Sequence, residues 1–212
     1  MNRVSFLIDG FNLYHSVKQA SRELGGVSTK WLDIHAFCSS YLSAIGDGAT
    51  LMGIHYFSAL AKHLEATNPD VTRRHQDFLE CLRATGVQIE LARFKRKEVR
   101  CPNCEIRFDR YEEKETDVAI AATLFDLLHS AACDRAVLVT GDTDVAPAVR
   151  LAQRLFPSTE ILFLFPYARK NKELAGMVKR PINVRKEHYA KHQFPDLVIL
   201  PDGREIAKPP TW

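Results

Sequence analysis

Four aspartates lie where an apolar run ends or where a helix is predicted to begin: Asp9, Asp117, Asp142 and Asp144. Asp9 follows the apolar run 4–8, and Asp142 and Asp144 follow the run 136–140. Short apolar runs bounded by glycine and polar residues are typical of buried parallel strands. Open α/β sheets bind ligands at the carboxyl ends of their strands. Carboxylates gathered there repel one another, and a divalent cation is the usual way to keep them ionised together.

Asp117 provides the sharpest local argument for such a site. The sequence predicts a helix over residues 112–131, on which Asp117 shares one face with three apolar residues, Ala121, Leu124 and Leu128. A carboxylate on an apolar face needs a compensating partner or a shifted pKa. The structural alternative is a favourable interaction with the helix dipole and the free amides of the first turn.

The other acids also have structural explanations. Asp9 could form an Asx turn, and Asn12 could be the N-cap of the first helix. Thr143 or Asp144 could cap the helix that follows. Each of these explanations has to be invoked separately, whereas one metal site accounts for all four acids together.

The ligand type indicates the chemistry of that site. Carboxylate oxygens select Mg²⁺ or Mn²⁺, which keep several waters and pair with phosphate oxygens. Such an ion activates a water nucleophile and neutralises charge on a leaving oxygen. The sequence shows no glycine-rich phosphate loop, no Ser–His–Asp phrase and no helical histidine pair suited to zinc. We therefore expect metal-assisted phosphodiester hydrolysis.

The elements that must position these acids alternate along the chain. Apolar patterning predicts strands near residues 4–9, 51–60, 87–94, 136–140 and 161–165, with helices near 12–23, 31–44, 72–85, 112–131 and 145–155. Strands separated by helices predict crossover connections and a mainly parallel central sheet with helices on both faces. Residues 94–111 are expected to form a basic, cysteine-bearing connection, and residues 197–203 a short strand or hairpin.

Composition limits the possible classes of protein. The 212 residues suffice for one domain of ordinary size, and a net charge of +3 supports nucleic-acid binding only weakly. Basic residues crowd the stretches 93–110 and 169–191, although a solvated surface is an alternative for each. No apolar segment reaches the length of a membrane span, and no signal-peptide pattern is present. The odd count of five cysteines favours a reduced, cytoplasmic protein.

Three phrases, at residues 6–13, 113–119 and 140–147, together resemble the NYN domain family, the PIN-like ribonucleases that include LabA-like bacterial proteins. The resemblance covers roughly residues 1–170 and implies a PIN-like three-layer α/β/α domain over 1–170. Residues 171–212 are expected to be an extension that packs on this domain or continues it.

The resemblance also implies an Mg²⁺- or Mn²⁺-dependent endoribonuclease centre in which Asp9, Asp117, Asp142 and Asp144 are catalytic and metal-binding. Asn12 matches a polar family position and is expected to orient Asp9 or a metal-bound water. Lys114 matches a basic position and is expected to contact substrate phosphate. Glu115 departs from the family, which commonly has glycine there, and whether it is a ligand stays open.

The sequence leaves two alternatives to catalysis on RNA. Some LabA-like relatives are linked to control of gene expression, so a non-catalytic RNA-binding or regulatory protein is one alternative. A phosphatase of the haloacid-dehalogenase type is disfavoured, because Phe11 stands where that family requires a second aspartate. RNA is therefore the expected partner, with no membrane association.

Cys101 and Cys104 form a C-x-x-C pair within the first basic stretch. Two thiolates at this spacing are half of a tetrahedral zinc site, which a histidine or a second copy in a homodimer would have to complete. A tight loop or a redox-sensitive thiol pair is the alternative that we favour. The loop could cover the acidic centre, so that Arg107 and Arg110 would meet the substrate backbone.

Overall fold

A seven-stranded sheet runs through the computed structural model, which describes residues 2–212. Its strands are β1 (Arg3–Asp9), β2 (Thr50–Ala59), β3 (Gln88–Arg100), β4 (Arg107–Lys114), β5 (Arg135–Val139), β6 (Glu160–Phe165) and β7 (Ile182–Asn183). Their spatial order is β4-β3-β2-β1-β5-β6-β7, and every neighbouring pair is parallel except β3 with β4. The predicted mainly parallel sheet is therefore confirmed.

Helices cover both faces of this sheet. They are α1 (Gly10–Glu23), α2 (Ile34–Ser39), α3 (Leu42–Ile45), α4 (Val71–Ala84), α5 (Thr116–His129), α6 (Ala146–Leu155), α7 (Lys172–Gly176) and α8 (Lys186–Lys191). Along β1, Phe6 and Ile8 belong to a buried cluster with α1, α2, α4 and α8, whereas Leu7 belongs to a second cluster with α5, α6 and α7. Since successive side chains of a strand point to opposite faces, both faces are buried, and the layers are α/β/α as predicted.

The centre of the sheet brings two of the predicted site segments together. β1 pairs directly with β5 in parallel register, with Ile8 opposite Val139. Asp9 and Thr140 follow these two residues, so both strands deliver their polar residues to the same edge of the sheet. This edge is the place where parallel α/β sheets bind ligands.

The stretch predicted as a basic connection is instead a β-hairpin. β3 continues to Arg100 and pairs antiparallel with β4, from Arg93 opposite Lys114 to Arg100 opposite Arg107. Because residues 107–114 are part of this ladder, α5 begins at Thr116 and not at residue 112 as predicted. The prediction was wrong because the strands are mostly exposed and carry charge on both faces, so they lack the apolar run by which core strands are recognised.

The predicted helix over residues 31–44 is also divided. It consists of α2 and α3, and at the break the Ser40 hydroxyl donates a hydrogen bond to the Phe37 carbonyl. Serine side chains compete in this way with the backbone ladder of a helix.

The C-terminal segment packs against the first half of the chain. The Tyr189 hydroxyl on α8 lies 2.8 Å from Ser16 Oγ on α1, and Trp31 Nε1 donates to the Pro195 carbonyl. The predicted hairpin is present as β8 (Leu197–Ile199) and β9 (Glu205–Ala207). Within residues 2–212, none of the helices has the length and apolar character needed to cross a membrane.

Candidate acidic centre at the carboxyl edge of the sheet

Asp9 is the most buried carboxylate of this edge, with 5% of its surface exposed. Its Oδ1 accepts a hydrogen bond from the Asn12 backbone N–H (2.9 Å), so Asp9, and not Asn12, is the N-cap of α1. Its Oδ2 accepts from Thr140 Oγ1 on the neighbouring chain segment (2.8 Å). Two donors from different elements therefore hold the carboxylate of Asp9 in one orientation.

The loop after β5 is tied to α1 through the same residues. Asn12 Oδ1 accepts from the Gly141 backbone N–H (3.1 Å), and Thr140 Oγ1 accepts from the Asp142 backbone N–H (3.0 Å). The side chain of Asn12 thus fixes the loop that carries Asp142, while its backbone holds Asp9. Thr140 links both aspartates and was not identified as a site residue from the sequence.

Two glycines allow the chain segments to approach this closely. A Cβ atom at Gly10 would lie 2.5 Å from the Phe57 carbonyl oxygen, and one at Gly141 would collide with the Arg169 carbonyl oxygen. Neither glycine has a positive φ, so close approach and not backbone conformation requires them. The glycines that flank Asp9 and Asp142 in sequence are therefore part of the construction of the site.

Asp142 precedes the 3-10 turn Thr143–Val145 and Asp144 lies on it, and both side chains are exposed. Asp142 Oδ1 accepts from the Asp144 backbone N–H (3.1 Å), so Asp142 caps this turn. The expectation that Thr143 or Asp144 caps the following helix is therefore wrong, because α6 has no side-chain cap and Asp142 caps the turn before it. Capping uses only part of the carboxylates of Asp9 and Asp142 and leaves Asp144 without a side-chain partner within residues 2–212.

Asp117 lies half-buried in the first turn of α5, and Glu113 joins it from the end of β4. The Glu113 carboxylate accepts a hydrogen bond from Thr116 Oγ1. Glu113 was not predicted as a site residue, because residues 112–115 were expected to form the first turn of a helix and not the end of a strand. A signal was present, since Glu113 opens the same family-like phrase that contains Asp117.

Burial and mutual repulsion act together on these carboxylates. Burial first, and then the charges of Glu113 and Asp142, raise the pKa of Asp9 to about 6. Burial, followed by the charges of Asp142, Asp9 and Asp144, likewise raises the pKa of Asp117 to about 6. The pKa of Glu113 is raised by burial and by Asp117. The negative charges of these acids therefore raise one another's pKa values, and no nearby positive charge compensates them.

These acidic residues meet one requirement of a divalent-cation site but not another. The donors are hard carboxylate oxygens, and their uncompensated charge is what a divalent ion neutralises. Within the described chain, however, no three His, Cys, Asp or Glu side chains converge closely enough to hold one ion as they stand. Asp142 and Asp144 are exposed and have room to rotate, whereas Asp9 is held in place. The donor chemistry therefore fits, and convergence requires rotation of the exposed acids.

The residues predicted to bind substrate all lie on β4. Lys114 Nζ lies 3.0 Å from Glu112, and Arg107 lies 3.1 Å from Glu98, so both cations have acidic partners. Arg110 is exposed and forms no ion pair with any residue of the described chain. Glu115, whose role was open, forms an ion pair with Arg93.

Arg169, which was noted in the sequence as the start of the second basic stretch, follows β6, and its carbonyl packs against Gly141. Its Nε is buried and has no hydrogen-bond partner among residues 2–212. Its positive charge acts on the pKa values of His15 and Tyr189, so the guanidinium lies beside α1 and α8.

Cys101 and Cys104 lie at the tip of the β3–β4 hairpin as free thiols. The Cys101 backbone N–H donates to the Ile106 carbonyl (2.9 Å), and the Glu105 N–H donates to the Cys101 carbonyl (2.9 Å), which closes a tight loop. Backbone N–H groups of Cys104 and Asn103 lower the pKa of the Cys101 thiol. The length of β4 separates this tip from Glu113 by roughly 20 Å, so the loop does not cover the acidic centre.

Comparison with known proteins identifies one family, and the individual proteins that match include an enzyme and a protein of known structure. The model of the NYN domain family matches residues 3–182. The 6-hydroxy-3-succinoylpyridine 3-monooxygenase HspA of Pseudomonas putida is 28% identical over 113 residues, which are 51% of this chain and 35% of that protein. The chain thus spans only about a third of the length of this relative.

A crystal structure of a Vibrio parahaemolyticus protein of unknown function superposes with a TM-score of 0.58 at 14% identity. The match covers 87% of this chain and 93% of that protein. At this level of identity the likeness concerns the fold alone, and it agrees with the three-layer architecture.

Proposed function

The chain belongs to the NYN domain family, and we propose that it is a metal-dependent endoribonuclease that hydrolyses RNA phosphodiester bonds at the acidic centre. Membership of this family supports a nuclease-like, RNA-related function. The finer assignment to endonucleolytic cleavage of RNA and to Mg²⁺ or Mn²⁺ is our inference from the site, and the cytoplasmic location is our inference from the five cysteines.

The observation that carries the proposal is that the carboxylates of five residues gather at one edge of the sheet without an ion pair to any residue of the described chain: Asp9, Glu113, Asp117, Asp142 and Asp144. The raised pKa values of Asp9 and Asp117 support it. A carboxylate that only caps a helix is stabilised by backbone amides and by the helix dipole, which lower its pKa. Asp9 accepts such hydrogen bonds, and yet burial and neighbouring acids raise its pKa to about 6. Capping alone therefore does not explain why these acids are gathered here. Perturbed carboxylates that cluster in one place are typical of functional sites.

We assign the acidic residues different roles according to how firmly each side chain is held. Asp9, held by Asn12 and Thr140, would provide a fixed ligand, and the exposed Asp142 and Asp144 would complete the coordination. When bound, Mg²⁺ or Mn²⁺ would supply an activated water and neutralise charge on the leaving oxygen. Asp117, with its pKa raised to about 6, is ionised at neutral pH and suited to accept a proton from water.

Contacts to the RNA backbone would come from cations around this edge. Arg110 is exposed without an acidic partner in the described chain. Lys114 and Arg107 would have to exchange their glutamate partners for phosphate. Arg110 is therefore the cation that we expect to contribute most.

A second candidate is a non-catalytic RNA-binding or regulatory protein. The observation that favours it is that no three acids of the described chain converge on one point. The relative HspA is named as a monooxygenase of a pyridine compound, but the match covers 35% of that protein. The acidic edge supports hydrolysis directly and has no evident use in oxygenation, so hydrolysis remains our proposal.

The test compares cleavage of end-labelled RNA by the wild type, Asp142→Asn and Asp9→Asn, in Mn²⁺ or Mg²⁺ and in EDTA. We expect the wild type to cut RNA and leave 5′-phosphate and 3′-hydroxyl ends. Each variant should lose at least about a hundredfold in rate, because a ligand or a proton acceptor is removed. Asp109→Asn is the matched control, since it removes the same charge from an exposed acid paired with Arg96.

Equal rates in all four proteins would refute the catalytic assignment. RNA binding that no divalent ion converts into cleavage would favour the regulatory candidate. Release of inorganic phosphate from small phosphomonoesters would point instead to a phosphatase.

A further inference from the structure

A cavity of about 640 Å³ lies directly beside the acidic centre. It is enclosed by α1, the turn Lys62–Leu64, α4, the base of the β3–β4 hairpin and the C-terminal segment around Trp212. Gly10, the residue after Asp9, forms part of its wall, and so does Glu113. Its volume is within the range of about 300–1,000 Å³ that is usual for ligand pockets. A group bound there would lie next to the carboxylates.

Aromatic rings form much of the cavity wall. Phe11 and Tyr14 on α1 are 47% and 43% exposed, which is unusual for rings of this size on a helix that packs against the sheet. On the opposite side, the ring of His63 stacks on Tyr111 with centroids 4.2 Å apart and an angle of 8° between the ring planes. Flat aromatic faces at the surface of a cavity favour a planar ring as the ligand.

Neutral polar groups are available for the edge of such a ring. Ser58 Oγ lies 3.3 Å from His75 Nε2, and burial lowers the pKa of His75 to about 4, so this pair is uncharged at neutral pH. His63 Nδ1 is buried and has no hydrogen-bond partner among residues 2–212. Donors and acceptors of this kind suit the polar edge of a heterocycle and not an alkyl chain.

Two positively charged residues, Lys30 and Arg74, line another part of the cavity. Burial first, and then the charges of Lys18 and Arg74, lower the pKa of Lys30. Neither cation takes part in an ion pair within the described chain, and Arg74 donates only to Asn68 Oδ1 (2.9 Å). This pair of uncompensated charges favours a ligand that carries an anion.

We propose that this cavity binds one nucleobase together with its phosphate, the base stacking on Tyr14 and Tyr111 and the phosphate meeting Lys30 and Arg74. This inference rests on the proposed function. The base would belong to an unstacked nucleotide of the RNA beside the scissile phosphate. The same chemistry would be offered by a free nucleotide, so the experiment separates these two sources.

The experiment measures binding of fluorescein-labelled single-stranded RNA to a cleavage-deficient Asp142→Asn background, into which Tyr14→Ala, Tyr14→Phe or Phe108→Ala is introduced. We expect Tyr14→Ala to weaken binding by about tenfold, because stacking on one base is lost. Tyr14→Phe should recover most of this loss, since it keeps the ring. Phe108 is 49% exposed and lies outside the cavity, so Phe108→Ala should change the dissociation constant by less than about twofold.

A series of RNAs with one abasic position each then tests the subsite itself. At one position, loss of the base should weaken binding about as much as Tyr14→Ala does, and Tyr14→Ala should abolish the sensitivity at that position. Equal effects of Tyr14→Ala and Phe108→Ala, or no position-specific effect of abasic sites, would overturn the inference. Because this experiment measures binding and not cleavage, its result can be interpreted even if the protein is not a nuclease.

Free AMP and UMP form the second arm, followed through the fluorescence of Trp212, which lines the cavity. If the protein binds no RNA but binds a nucleotide in a manner that Tyr14→Ala removes, the cavity is a nucleobase site supplied by free nucleotides. If neither RNA nor nucleotide binding depends on Tyr14, the proposal is wrong. Far-ultraviolet circular dichroism and a thermal melt of each variant establish that the fold is retained.

Discussion

The acidic edge of the sheet and the β3–β4 hairpin are both rich in charge, but they handle it in opposite ways. On the hairpin, ion pairs connect the two strands diagonally: Arg96 pairs with Asp109 (2.7 Å), Lys97 with Glu112 (3.3 Å) and Arg107 with Glu98 (3.1 Å). At the acidic edge, Asp9, Asp117, Asp142, Asp144 and Glu113 form no ion pair with any residue of the described chain.

This difference separates a structural use of charge from a functional one. Exposed cross-strand ion pairs contribute little energy each, but they favour one register of a hairpin that has few apolar contacts. Carboxylates that are buried and repel one another cost stability, and such a cost is typical of sites shaped for a ligand or a reaction. Most of the first basic stretch is therefore neutralised, while the acidic edge has a deficit of positive charge.

The largest expected effect concerns the stability cost of Asp9. Its pKa is raised from 3.8 to about 6, and a shift of this size corresponds to about 3 kcal/mol. The folded protein therefore binds more protons than the unfolded chain between about pH 4 and 6. Stability should fall as pH rises through this window and stay low above it. The Asp9→Asn variant has no carboxyl group at this position and does not lose stability in this way. As the pH rises through the window, its free energy of unfolding should therefore increase relative to that of the wild type by up to about 3 kcal/mol.

Urea denaturation in EDTA at several pH values measures this difference. Asp134→Asn provides the contrast, because Arg3 lowers the pKa of Asp134 to about 2. A lowered pKa contributes stability above the unfolded value, so Asp134→Asn should be less stable than the wild type at neutral pH, and this deficit should shrink as the pH falls towards 2. A difference between Asp9→Asn and wild type that does not change with pH would show that Asp9 is not under electrostatic stress.

The second effect in size is stabilisation by a divalent ion. Mn²⁺ at a hundred times its dissociation constant should raise the free energy of unfolding by about 2.7 kcal/mol, because the ion binds only the folded acids. The increase should disappear in Asp142→Asn and persist in the hairpin variant Asp109→Asn. Thermal unfolding followed by circular dichroism measures it, with EDTA to reverse the shift. An equal shift in both variants would place the ion away from the acidic edge.

The smallest effect is expected on the hairpin. A double-mutant cycle with Arg96→Ala and Asp109→Ala should give a coupling energy of about 0.2–1 kcal/mol, since the pair is exposed. Raising the salt concentration should reduce this coupling further. A coupling energy of several kcal/mol would mean that the hairpin ion pairs stabilise the fold as strongly as the acidic edge destabilises it. The proposed contrast between the two regions would then be wrong.

Much of the core could be predicted from sequence because it is built from local patterns. The apolar runs around residues 4–8 and 136–140 are strands, and parallel connections place their ends at one edge. Asp9, Asp142 and Asp144 follow from that placement. Asp117 was recognised from its position on a helix face, although the helix begins at Thr116, four residues later than predicted.

The hairpin and Glu113 were not predictable in the same way. β3 and β4 beyond residue 92 are stabilised by pairing with each other and carry charges on both faces, so neither shows a period of two in hydrophobicity. Since the register of β4 determines where Glu113 points, its place beside Asp117 depends on a long-range pairing. The same pairing carries Cys101 and Cys104 away from the acids.

By itself, the sequence determined the alternation of strands and helices, the edge at which the acids gather and the family to which the chain belongs. These properties depend on short-range hydrophobic patterning and on residue types within single segments. Only the tertiary structure decided which carboxylates are buried, which cations are already paired and where an aromatic cavity opens beside Asp9. Burial, charge compensation and cavities depend on residues far apart in the chain, so no local pattern encodes them.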